Sequence, residues 1–200
     1  MEEIKIFERW STKGIKPRDV GLEKYINLEA RIVPRSGGRF ASKQFHKSKM
    51  NIVERLMNKM QVPGHHGKKH IMTSGRATGK TLVHYKIVEK VFENIEQQTK
   101  KNPIEVLVQA IEHAATREEI TQYQVGGIML RRAVITSPQR RVDRALSNIV
   151  QASYKKSFGK KDTMTSALVS EIIGAYNNDA QKSEAIKERE RHEREAEGAR

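Results

Sequence analysis

The chain has 200 residues, no cysteine, 38 Lys and Arg against 24 Asp and Glu, and a formal net charge of +14. At 36% hydrophobic content it holds apolar material for one modest core and is short for two independent domains. The lack of cysteine excludes disulfides and thiolate metal sites, no apolar run nears the ~20 residues of a bilayer-crossing helix, and the opening MEEIKIFERW lacks the basic start and apolar middle of a signal peptide, so a soluble, intracellular protein is expected.

Residues 1–47 show no sustained period. Phe7, Trp10, Tyr25, Ile26, Leu28, Ile32 and Val33 are scattered among prolines and glycines, which predicts an extended arm with a few anchoring side chains. The arm leads into the most basic part of the chain: residues 31–80 carry +11, from twelve Lys or Arg against the single carboxylate of Glu54, and include six glycines. A loop-rich stretch of that charge predicts a surface for a polyanion, with nucleic acid the first partner to consider. A membrane surface fits less well, because it calls for a basic amphipathic helix and these cations fall among glycines.

A first helix is expected at about 49–61, where Asn51 and Glu54 have capping-box spacing, Ile52, Val53, Leu56, Met57 and Met60 share a face, and Pro63-Gly64 ends the pattern. Past the basic loop, Thr78 or Thr81 caps a second helix whose broad apolar face, Leu82, Val83, Ile87, Val88, Val91, Phe92 and Ile95, predicts a central position. Asn102-Pro103 with Glu105 then combines a cap, a first-turn proline and capping-box spacing ahead of the stripe Ile104, Leu107, Val108, Ile111 and Ala115.

Between Thr116 and Ser137 the residues turn β-branched and aromatic, and Gly126-Gly127 divides ITQYQV from IMLRRAVIT, which predicts a β-hairpin at about 119–136. Arg131 and Arg132 are adjacent and so point to opposite faces, and a ribbon with an arginine on each face suits a ligand better than a core. Ser137-Pro138 starts a fourth helix with Val142, Ala145, Leu146, Ile149 and Val150 inward; Thr163 starts a fifth with Met164, Ala167, Leu168, Ile172, Ile173 and Tyr176. The segment 179–200 has Ile186 as its one large apolar residue and charge pairs four apart, which predicts a charged helix that does not join the core. The expected fold is mainly α: a bundle of about five core helices at 48–178 plus a C-terminal helix at 179–200, with one protruding β-hairpin and an extended basic arm at 1–47.

Three constellations invite chemistry. GRATGKT at 75–81 ends like a phosphate-binding loop, but Gly75 and Gly79 enclose three residues where that loop has four, the preceding KKHIM is a poor buried strand, and no later strand ends in a magnesium-binding Asp; this nucleotide-hydrolase reading is a weak rival. His65, His66 and His70 stand without a nearby carboxylate and beside Lys68 and Lys69, which repel a cation; solvated or phosphate-facing imidazoles are expected. Glu118-Glu119 is the one carboxylate pair near the ribbon and reads as solvated charge at a helix end. Tyr123 is placed to stack on a base, whereas Tyr85 and Tyr154 read as core-edge residues. No catalytic site, metal or cofactor is expected. A DNA-bending architectural protein is the alternative among binding proteins, although Val125 and Ile128 offer only modest wedges at the ribbon tip.

In order, the chain presents a basic arm with YINLEARIVPRSGGR, then NIVERLMNKM, a basic loop, KIVEKVFENI, NPIEVLVQAIEHAATREE, a VGG ribbon, SPQRRVDRAL and LVSEIIGAYNNDA. Together these resemble the family of the small-subunit ribosomal protein numbered seven, in its archaeal and eukaryotic cytosolic branch, over nearly the whole length. The resemblance implies a non-enzymatic structural constituent of the cytoplasmic small ribosomal subunit. It implies binding to the 3′ major, or head, domain of small-subunit rRNA, nucleation of head assembly, and a position beside exit-site tRNA, mRNA and neighbouring ribosomal proteins. Carried over by position, Arg31, Arg35, Arg39, Lys43, Lys47 and Lys49 on the arm and Lys68, Lys69, Arg76 and Lys80 in the loop would hold rRNA. Tyr123, Arg131 and Arg132 would face RNA near the exit site, and Arg140, Arg141 and Arg144 would add backbone contacts. Residues 65–81 are longer than the family's loop, and the tail is richer in Glu.

Overall fold

The computed structural model describes residues 3–66, 69–70, 72 and 77–200, with the backbone alone at 65, 66, 69 and 70. Among these, seven α-helices and two antiparallel strand pairs follow one another as α1 (Val20–Glu23), a 3₁₀ turn (His46–Lys49), α2 (Ile52–Met60), β1 (His65–His66), β2 (Lys69–His70), α3 (Thr81–Thr99), α4 (Pro103–Ala114), β3 (Glu118–Val125), β4 (Ile128–Ile135), α5 (Pro138–Ser157), α6 (Met164–Tyr176) and α7 (Glu184–Glu197). The expected mainly α bundle with one long hairpin is therefore the fold found, and the pair β1–β2 is a small addition inside the basic loop.

Helix α6 lies at the centre. It packs against α3, α4, α5 and α7, and its run of Ala167, Leu168, Val169, Ile172 and Ala175 is buried on nearly every side, as a helix apolar all round must be. Phe92 and Ile95 of α3, Ile104, Leu107 and Ile111 of α4, and Leu146 and Ile149 of α5 complete one continuous core. The caps at Asn51, Asn102 and Thr163 form as read, each side chain accepting from a backbone N–H of the first turn. The two capping boxes do not close: Glu54 accepts instead from the N–H and hydroxyl of Ser36, both at 2.7 Å, and Glu105 from Gln109.

Four expectations are corrected. Lys80, without a side-chain hydrogen bond, occupies the N-cap of α3, so neither Thr78 nor Thr81 caps it. Leu82 and Val83 are 70% and 50% exposed, because the 19 residues of α3 span about 28 Å and its first turn overruns the shorter helices it packs on. Glu118 and Glu119 lie in strand β3 rather than at a helix end.

The fourth concerns the C-terminal helix, which does join the core. Ala185 and Ile186 are fully buried, and Ser183 and the Ala185 N–H bond to Glu171, itself fully buried on α6. A few small apolar residues suffice to seat α7, because its polar groups are satisfied by α6, β3 and the α4 terminus rather than by water. Arg189 donates to the His113 carbonyl and Glu193 accepts from the Arg117 N–H.

The arm is anchored by its first third. Ile6, Phe7 and Trp10 are buried, and Phe7 meets Trp10, Tyr85 and Phe92 with ring centroids at 5.8, 4.7 and 5.9 Å. Trp10 donates its indole N–H to Glu96 at 3.0 Å. Leu22 of the short α1 and Ile26 just beyond it enter the core, and Asp19 caps the helix by accepting from the Gly21 N–H. Ile32 and Val33, expected as anchors, are exposed.

Candidate nucleic-acid interface

The long hairpin closes on a two-residue loop, Gly126-Gly127, with φ of 56° and 87°, the doubly positive conformation a type I′ turn needs and glycine supplies. The register pairs Gln122 with Arg131, Thr121 with Arg132 and Tyr123 with Leu130. Since paired residues share a face and neighbours alternate, Arg131 lies on one face with Gln122, and Arg132 on the other with Tyr123. Both arginines are exposed, and neither makes an ion pair among the described residues.

At the base of the hairpin Glu119 accepts from Arg140 at 2.8 Å and Arg144 at 3.2 Å, both on the first turns of α5. Burial pushes the Glu119 carboxyl up, but the Arg140 hydrogen bond and the charges of both arginines hold it below the ordinary carboxylate range. Next along α5, Arg141 pairs with Asp19 at 2.9 Å. One turn from Arg140, Asp143 accepts from Lys47 on the arm at 2.8 Å and from Arg55 of α2 at 3.0 Å. Asp143 is pushed up by burial and brought lower still by Lys47 and Arg55. Arg55 is 2% exposed, and it also donates to the Tyr25 carbonyl. Burial lowers the Arg55 and Lys59 pKa values against the opposing charge of Asp143.

Helix α5 thus ties arm, α2 and hairpin into a continuous surface. One cavity of about 770 Å³ has Phe45 of the arm, Arg140 and Arg144 on its walls, and a second of about 700 Å³ has Arg144, Gln122 and Arg131. The expected cations divide on that surface. Arg31 pairs with Glu29, Lys47 with Asp143, Arg140 and Arg144 with Glu119, and Arg141 with Asp19. Among the described residues, Arg35, Arg39, Lys43, Lys49, Lys80, Arg131 and Arg132 are exposed and make no ion pair. Lys80 sits at the start of α3, away from both cavities. Lys68 and Arg76 lie outside the described residues, as do the side chains of Lys69 and of His65, His66 and His70. Tyr85 packs on Phe7 and Tyr154 on Phe158, the core-edge roles expected.

Residues 22–200 match the family described as ribosomal protein S7p/S5e. The chain belongs to that family. Three archaeal relatives, each named small ribosomal subunit protein uS7, are similar over the whole length. The one from Nanoarchaeum equitans is 46% identical across 99% of this chain and 100% of its own. That from Archaeoglobus fulgidus is 42% identical across 100% and 96%, and that from Methanothrix thermoacetophila 41% across 98% and 100%. Within this S7-family chain, sequence reasoning missed Asp143 and read Glu119 as solvated charge, whereas both are paired carboxylates that organise the surface. Asp143 stands inside RRVDR, and an acid in a basic run is itself the signal of a pair.

Proposed function

We propose that the chain is a structural, non-catalytic constituent of the small ribosomal subunit that binds the 3′ major, head domain of small-subunit rRNA, nucleates assembly of the head, and lies beside exit-site tRNA and the mRNA path. Residues 48–178 are its RNA-binding core, and the arm 1–47 extends the contact. The observation that carries this reading is the division of the cations: those that hold the fold are paired with carboxylates, whereas Arg35, Arg39, Lys43 and Lys49 of the arm and Arg131 and Arg132 of the hairpin stand exposed without a carboxylate. Phosphates are the counterions such a surface fits, and each one neutralised releases condensed cations from the RNA. Family membership supplies the ribosomal context.

The test is binding of the full chain to a fragment of small-subunit rRNA across a salt series, with duplex DNA as competitor. Replacing Arg35, Arg39, Lys43 and Lys49 by Ala is expected to flatten the slope of log affinity against log salt by about three units. An unchanged slope would remove the arm from the interface. A preference for duplex DNA would favour the architectural reading, to which exposed Val125 and Ile128 at the hairpin tip lend some support as wedges.

A further inference from the structure

Three cavities open along one side of α5 and share walls. One of about 500 Å³ and the one of about 770 Å³ have Lys59, Asp143, Ser147 and Gln151 in common. A third, of about 410 Å³, shares Asn148, Gln151, Glu188 and Arg191 with the second. They make one groove, flanked by the arm and α2 on one side and by α7 on the other.

Most charges in this groove are already matched: Asp143 with Lys47 and Arg55, Arg140 and Arg144 with Glu119, Glu188 with Arg191. A phosphate on those cations would have to displace a carboxylate. Lys59 is the exception on the walls of two of the cavities, a half-buried cation that feels the charge of Asp143 without an ion pair to a described residue. The other unmatched groups are neutral. Neither the Gln139 nor the Asn148 amide makes a hydrogen bond with a described residue, and Gln139 Oε1 and Asn148 Nδ2 are shut off from solvent. Either amide can turn into the groove without giving up a bond, and each presents the donor and acceptor that read the edge of a base. The two lie nine residues apart on α5, about 13 Å along its axis, so they would meet different nucleotides.

At the rim stands Phe45, 66% exposed and held at φ 64°, a backbone region uncommon for a residue with a side chain. Its ring lies largely in solvent rather than in the core, and Lys43 and Lys49, both exposed and without ion pairs among the described residues, flank it in the chain. An aromatic ring, two amides without partners among the described residues and lysines close to the ring in the chain match a nucleotide part by part: a stacking face, a hydrogen-bonding edge and a phosphate.

We propose that the groove along α5 takes unpaired bases of a single-stranded RNA segment, with one base stacked on Phe45, the Gln139 and Asn148 amides on base edges, and the phosphates on Lys43 and Lys49. This rests on the RNA-binding reading above and adds, beside the phosphate contacts of the arm, a surface for unpaired bases.

The experiment uses the full chain with a short single-stranded RNA carrying the fluorescent base 2-aminopurine, and a fully paired RNA duplex of the same length. Binding of the single strand is expected to quench the fluorescence. Phe45→Ala is expected to abolish the quench and weaken affinity by about tenfold, leaving the salt slope and the circular dichroism as they are, and Phe45→Tyr is expected to restore both. If neither RNA binds the unaltered protein, the RNA reading itself falls. If both bind with a steep salt slope and Phe45→Ala changes nothing, the groove assignment falls alone. Equal dependence of the duplex on Phe45 would also overturn it, since a paired base has no free face to stack.

Discussion

Asp143 and His192 sit on the same side of α5 and pull the stability of the protein in the same direction with pH. Asp143 has a folded pKa below its unfolded value of about 3.9, so its contribution is full above that value and is lost as pH falls through the folded one. Glu119 follows the same sign. His192 is lowered by burial and then by the charges of Arg144 and Arg191. As pH falls below about 6.5 the unfolded chain takes up that proton before the folded one does, and stability drops. The thermal midpoint is therefore expected to decline gently below about pH 6.5 and steeply below about pH 4. In His192→Gln the upper decline disappears. Asp143→Asn weakens the lower one and, by leaving Arg55 buried with half its partners, costs about 3 kcal/mol near neutrality. A flat midpoint from pH 7 to 4 in the unaltered protein would refute the assignment.

The junction of α6 and α7 shows how elements are fixed by groups that periodicity does not register. A methyl group added at Gly174 would stand 3.1 Å from the Lys182 Cβ and from the Ser183 backbone nitrogen. Ala in place of Gly gains about 1 kcal/mol in helix propensity, whereas overpacking costs about 1–3 kcal/mol, and moving Ser183 also loosens its bond to Glu171. Gly174→Ala is thus expected to lower stability by about 1–2 kcal/mol in urea denaturation followed by circular dichroism; a gain would show that the turn yields freely. The helices α2 to α6 were legible in the sequence because their apolar stripes are local signals, reinforced in α2, α4 and α6 by Asn or Thr caps. The docking of α7 was not. It depends on Glu171, a carboxylate lying on the apolar stripe of α6, whose partners are Lys156 near the end of α5 and Ser183 and Ala185 at the start of α7. Trp10 was legible as an anchor of the arm, but the burial of Ile6 beside it and the exposure of Ile32 and Val33 were not, because an irregular segment has no period and its packing is decided by tertiary partners such as the aromatic side chains on α3. At the candidate interface the basic residues were plain from composition, but their division into paired and unpaired groups depends on tertiary placement.

Across the whole molecule that division separates cations that maintain shape from cations left for a ligand. The excess of positive charge, +14 in all, means that the carboxylates are in short supply, and those nearest α5 go to Arg55, Arg140, Arg141, Arg144 and Lys47, where arm, α2 and hairpin converge. The hairpin packs chiefly on α7 among the helices, and Arg131 and Arg132 project from its two faces. Two double variants should therefore behave in opposite ways. Changing Arg140 and Arg144 to Ala leaves Glu119, 12% exposed, without its cations, at a cost of about 2 kcal/mol, or some 4–8 °C in thermal midpoint for a chain of this size. Changing Arg131 and Arg132 to Ala removes no ion pair or side-chain hydrogen bond among the described residues, so stability is expected to stay within about 0.5 kcal/mol, while affinity for rRNA falls and the salt slope flattens by about one to two units. If the hairpin variant instead unfolded early and bound RNA normally in its folded fraction, the ribbon would be a packing element and its arginines no part of the RNA-binding surface.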